Sequence, residues 1–157
     1  MHQRPGAGVI RPACEADVPA LVELGRRFHG WSHWNGVARF DPEKTAESLG
    51  AWIASPDVAV LVSHPVEDVL VLMLGPPYFS ENPVALEIAF WAAGGKGDAL
   101  RRAGEAWAQG RGAAACIMGA HEPGQASRVG RWYARAGYAP FGHSHMKVLM
   151  KVLRHGN

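Results

Sequence analysis

A chain of 157 residues is long enough for one domain with a proper core and needs no staples to hold it. Hydrophobic residues at 48% and charged residues at 19% are an ordinary globular composition, and the only cysteines, Cys14 and Cys116, exclude a disulfide framework or a Cys-x-x-Cys metal knuckle. The net charge of +2 is small but uneven, −3 over residues 1–78 and +5 over residues 79–157, so a phosphate-rich ligand would find its field in the second half.

The opening Met-His-Gln-Arg-Pro-Gly has no apolar core of the signal-peptide kind. The longest apolar run, Val69 to Leu74, is far too short to span a bilayer. A cytoplasmic protein with no membrane partner is therefore expected.

Val9 to Arg11 reads as a short first strand. Asp17 and Pro19 start a helix whose buried side is Val18, Leu21, Val22 and Leu24, fading near Phe28 to Gly30. An aromatic loop follows, with Phe28, Trp31 and Trp34. Asp41-Pro42 opens a second helix through about Ala54. Val58 to Ser63 and Glu67 to Leu74 are β-rich and joined by His64-Pro65-Val66, which suggests a hairpin.

Val84 to Trp91 reads as a strand that runs through Ala92, Ala93, Gly94, Gly95, Lys96 and Gly97 into a helix from Asp98 to about Gln109. A strand, a glycine turn and a helix N-terminus together offer unpaired backbone N–H groups to an anion. Glycines allow a ligand close to the backbone, and Lys96, Arg101 and Arg102 add mobile positive charge. The loop is not a P-loop, because Lys96 is followed by Gly97 rather than Ser or Thr. Nor is it the dinucleotide fingerprint, because Leu100 stands at the third small position. The glycines alone could also be nothing more than a tight turn.

Gly110-Arg-Gly112 stops the helix, and Ala113 to Gly119 reads as a small-residue strand. Ser127 to Ala136, with Arg128 in its first turn, is a short helix ended by Gly137 as a left-handed cap. Tyr138 to Phe141 and Ser144 to Leu153 read as two closing strands. The order β-α-α-β-β-β-α-β-α-β-β implies an α/β fold, a mixed sheet with helices on both faces.

Three segments carry a resemblance. Ile10-Arg11-Pro12-Ala13-Cys14-Glu15-Ala16-Asp17-Val18-Pro19-Ala20-Leu21 resembles the first strand and helix of the GNAT superfamily of N-acetyltransferases. Ala92 to Leu100 resembles that family's pyrophosphate loop, with Ala92 where Gln or Arg is usual. Trp132-Tyr133-Ala134-Arg135-Ala136-Gly137-Tyr138 resembles its late helix. The likeness covers nearly the whole chain.

The resemblance implies a single GNAT-like domain that transfers an acetyl group from acetyl-coenzyme A to a primary amine by direct attack. It places the cofactor on Phe90 to Ala93, the glycine loop, Asp98, Arg101 and Arg128, and the general acid at Tyr133. Glu87, on the strand lining the cleft, is the leading base, and an edge or ion-paired carboxylate is its alternative reading. His121 or Glu122 could serve instead. Phe28, Trp31, Trp34 and His121 would wall the acceptor site and suit an apolar or cationic amine.

Tyr138 reads as core, as do Trp107 and Cys116. His29/His33 and His143/His145 are loose metal patterns without supporting ligands, so no metal is expected. A cofactor binder without catalysis, or an enzyme of the same fold acting on a nucleic-acid base, are the rival readings. A homodimer through the late strands is a further expectation.

Overall fold

The computed structural model describes residues 8–119, 126–142 and 145–149, with the side chains of Ala126 and Ser127 left aside. Five strands form one sheet in the order of the chain: β1 (Ile10–Pro12), β2 (Val58–Ser63), β3 (Val69–Gly75), β4 (Val84–Trp91) and β5 (Cys116–Ile117). The first four pair antiparallel, and β4 pairs with β5 in parallel. The helices are α1 (Val18–Trp31), α2 (Pro42–Ala54), α3 (Gly97–Gly110) and α4 (Ala126–Arg135).

Alternation along the strands explains why both faces are covered. Val60, Val62, Val69 and Val71 point to one side and bury Leu21 and Leu24 of α1 with Leu49 of α2. Ala59, Leu61, Leu70 and Leu72 point to the other and bury Leu100 of α3. Strands apolar on both faces need a layer on each side, and the three helices supply them. Helix α3 lies so close that a Cβ on Gly104 would stand 2.7 Å from Leu70 Cδ2 and 2.8 Å from Leu72 Cδ1.

Local chemistry sets the helix ends. Asp41 Oδ1 accepts the Lys44 N–H at 3.0 Å, with Pro42 in the first turn of α2. Before α1, Asp17 takes both arms of the Arg11 guanidinium at 2.7 and 2.8 Å and the Cys14 N–H at 2.8 Å, tying β1 to the helix start. After α4, Gly137 adopts φ +90°, its N–H donating to Ala134 O and the Tyr138 N–H to Tyr133 O. That is the left-handed cap the sequence indicates.

Two features position the site. The β3–β4 ladder carries a bulge: Val71 faces Ala89 and Leu72 faces Glu87, leaving Ile88 as the extra residue. Among the described residues the β4–β5 ladder runs over two pairs, Ala85–Cys116 and Leu86–Ile117, and no β5 pair follows beyond Leu86. From Glu87 onward the β5 side of β4 carries no ladder among the described residues.

Some expected bounds change. Helix α1 continues to Trp31, and the strand expected over Ala113 to Gly119 shortens to Cys116–Ile117. No strand occurs over 138–142 or 145–149, where two were expected, although residues 143–144 and 150–153 of the second lie outside the described residues. Pro140 lacks a ladder donor and Gly142 sits at φ +112°, which together interrupt an extended run.

Candidate active site

Glu87 and Tyr133 come together where β4 and β5 part. The Gly119 N–H donates to Glu87 Oε2 at 2.9 Å, and the Tyr133 hydroxyl lies 3.5 Å from the same oxygen. The hydroxyl donates to the Gly119 carbonyl at 3.2 Å. One residue just past β5 thus orients both groups. Glu87 is half-buried, whereas Tyr133 is buried at 7% exposure. Burial first, and then the nearby Glu87 carboxylate, push the Tyr133 hydroxyl well above the usual phenol range, so it holds its proton at neutral pH.

Helix α4 reaches this position by docking on α3. The Arg101 guanidinium stacks over Trp132 at 5.6 Å, and the Tyr138 hydroxyl donates to Glu105 Oε1 at 2.8 Å. Tyr138 is therefore more than the core aromatic the sequence suggests: it bolts the end of α4 to α3. Phe90 packs on Trp132 as well, at 6.1 Å, so its side chain belongs to this layer.

The glycine loop differs in detail from its sequence reading. Gly94 carries no side chain because a Cβ there would meet Asp68 Oδ2 at 2.5 Å. Its N–H donates to Asp68 Oδ1 at 2.6 Å. Gly95 holds φ +84°, and its N–H closes the turn on Ala92 O at 3.2 Å. A Cβ on Gly97 would stand 3.2 Å from Ala92 Cβ.

Both donors of the Gly94-Gly95 pair are thus used inside the protein. The first bond into α3 runs from the Leu100 N–H to Lys96 O, and the Lys96 side chain at the cap position makes no capping bond. Among the described residues the N–H groups of Gly97, Asp98 and Ala99 have no partner, which leaves the positive end of α3 open.

The expected mobile charge of Arg101 is corrected. It is 8% exposed, with nitrogens 2.7 Å from Asp98 Oδ1 and 2.6 Å from Glu105 Oε1. Carboxylates three residues before and four after lie on one helix face and capture it. Arg102 also pairs with Asp98, so these charges cancel locally. The Asp98 carboxyl is held below its ordinary range by Arg101 and then Arg102. Lys96 remains an exposed cation, its ammonium beside Gly8. Arg128 is exposed on α4.

On the opposite face, Trp91 meets Phe28 at 6.3 Å and Trp31 at 5.8 Å, both edge to face. Trp34 is 49% exposed in a short 3-10 turn and makes no ring pair among the described residues. The structure thus assembles Phe28, Trp31 and Trp91 and leaves Trp34 aside. Beside them a cavity of about 220 Å³ is lined mainly by apolar groups, among them Leu21, Phe28, Leu49, Trp52, Ala89 and Trp91. A more polar recess of about 470 Å³ adjoins it at Glu23, Arg27, Trp91, Ala93 and Gly94. His121 and Glu122 lie outside the described residues.

Sequence reasoning missed Asp68 and Gly119. Both act at a distance in sequence, Asp68 on residue 94 and Gly119 on residues 87 and 133. The only trace in the sequence is the acidic pair Glu67-Asp68 directly before the apolar run Val69 to Leu74.

No protein-family model matches the sequence, and no curated protein matches it. Solved structures do match in fold. A candidate acetyltransferase from Arthrobacter sp. FB24 superposes with a TM-score of 0.71 at 21% identity, over 98% of this chain and 99% of that one. An aminoglycoside acetyltransferase from an uncultured soil metagenomic sample, in complex with sisomicin, gives 0.64 at 20% identity, over 91% and 96%. A ribosomal-protein-alanine N-acetyltransferase from Brucella melitensis biovar Abortus 2308 gives 0.65 at 12% identity, over 90% and 99%. The chain has the fold of the GNAT acetyltransferases.

Proposed function

We propose that the protein is an N-acetyltransferase that uses acetyl-coenzyme A and acetylates a primary amine by direct attack. The observation that carries this reading is the meeting of Glu87 and Tyr133 at the parting of β4 and β5, beside a helix N-terminus whose first N–H groups have no partner among the described residues. The fit to the cofactor is chemical. A pyrophosphate needs N–H donors and a cation, and Gly97, Asp98, Ala99 and Lys96 offer them. Beyond Leu86 the β4 backbone makes no ladder with β5 among the described residues, so its N–H and C=O groups there could pair with an amide-bearing arm. Acetyl-coenzyme A would supply the activated acyl group.

The protein's groups do the proton work. Glu87 accepts the proton of the amine, directly or through water, and Tyr133 donates one to the departing sulfur. The two roles are coupled by distance. Part of what holds the Tyr133 proton is the negative charge of Glu87. Once Glu87 is neutralised by the amine proton, that hold weakens and Tyr133 becomes a better acid when one is needed. Phe28, Trp31 and Trp91, with the apolar cavity beside them, stand across the sheet from Glu87 and Tyr133, so they would favour an apolar body only in an acceptor that reaches past β4. Small-molecule and peptide amines, as the aminoglycoside and ribosomal-protein neighbours take, are the panels to try.

The test is acetyl transfer over such a panel by wild type and Tyr133→Phe, with acetyl-coenzyme A binding measured by calorimetry. The expected outcome is a turnover loss of about 100-fold or more in the variant, the usual weight of a general acid, with binding changed less than about twofold. Unchanged turnover removes Tyr133 from the chemistry. Binding without transfer to any amine would instead identify a cofactor-binding protein.

A further inference from the structure

Asp68 is the charged side chain most completely withdrawn from solvent among the described residues, at 1% exposure. It stands in the β2–β3 connection, where the Ser63 hydroxyl accepts the N–H groups of Glu67 and Asp68 at 3.1 and 3.0 Å and donates to Pro65 O at 2.7 Å. The carboxylate is therefore delivered by a braced loop. One oxygen holds the Gly94 N–H across 26 residues of sequence, and the other has no partner among the described residues. Burying an unpaired carboxylate oxygen is unfavourable, and a plain spacer would avoid it. Gly94 is tailored to the same group, since any side chain there would collide with it.

We infer that Asp68 is a positioning residue for the anion seat at the N-terminus of α3: its carboxylate anchors Gly94 and so fixes the turn that presents the Gly97–Ala99 N–H groups to a diphosphate. The inference rests on the acetyl-coenzyme A reading above. Asp68 need not touch the ligand. With Gly94 tied to Asp68 and Gly95 tied to Ala92, the turn has one shape, and an anion meets donors already in place. Without the anchor, the Gly94 N–H loses its buried partner and the turn must be ordered at the moment of binding.

The experiment compares two probes on the full chain. Coenzyme A carries the diphosphate and pantetheine does not, and both are titrated into wild type, Asp68→Ala, Asp68→Asn and Gly94→Ala. Asp68→Ala and Gly94→Ala are expected to weaken coenzyme A by about tenfold while pantetheine changes by less than about twofold. Asp68→Asn keeps an oxygen for the Gly94 N–H and should bind coenzyme A within about threefold of wild type. Amide exchange at Gly94 and Gly95 should accelerate in Asp68→Ala and recover in Asp68→Asn, a readout that survives if the alanine variant is poorly stable.

Undiminished coenzyme A binding in Asp68→Ala overturns the inference. So does an equal loss for both probes, which marks general damage, and so does an asparagine variant as weak as the alanine one. Failure of wild type to bind coenzyme A is a different result, since it removes the acyl-donor reading and this inference with it.

Discussion

Asp17 shows how one side chain ties sequence to stability. Arg11 and the Cys14 N–H hold its carboxyl well down, to about 2, against a reference near 3.8. The sign follows from linkage. A depressed folded value gives stability that is present above about pH 4 and lost as pH falls toward 2. Such a shift corresponds to roughly 2 kcal/mol. Asp17→Asn is therefore expected to lower unfolding free energy by about that amount at pH 7, the gap closing as pH drops through 4 to 2; urea titrations at several pH values would check it. The acid was legible as a helix-start signal, but its partner was not. Arg11 lies on a strand six residues earlier, and only the turn between brings them together.

Helices and strands were legible where periodicity and punctuation agreed. Asp41-Pro42 marked α2, Gly137 marked the end of α4, and the apolar runs gave β2 and β3. What could not be read was contact between elements. Nothing local says that Glu87 would accept the Gly119 N–H and face Tyr133, since the bulge at Ile88 and the brief β4–β5 ladder decide it. Arg101 was misjudged partly for the same reason, because α4 lies over it, although Asp98 and Glu105, three before and four after it on the same helix, were there to be read. The tight seating of α3 gives a prediction at this scale. Gly104→Val should lower stability by about 2 kcal/mol, since its branches would enter Leu70 and Leu72, and denaturant melts would read the loss.

For the molecule as a whole, a cofactor bound at the α3 end must stabilise the fold it requires. At a hundred times its dissociation constant, acetyl-coenzyme A should raise unfolding free energy by about 2.7 kcal/mol, or roughly 5 to 10 °C in melting temperature. Differential scanning calorimetry would show it, and no shift at saturating ligand would contradict the proposed cosubstrate. The sheet also sets how its apolar strands are shielded. Residues 58–62 and 69–74 are uncharged and proline-free, the kind of segment that stacks into fibrils when exposed. Both lie in strands paired on each side. Among the described residues, the outer strands are the three-residue β1, ending in Pro12, and the two-residue β5. Edges this short offer a neighbour little to pair with. The short β5 that opens the cleft has the reverse effect on its neighbour: among the described residues it leaves the β4 backbone from Glu87 to Trp91 without a ladder on that side, an edge that a bound ligand would cover and a longer β5 would close.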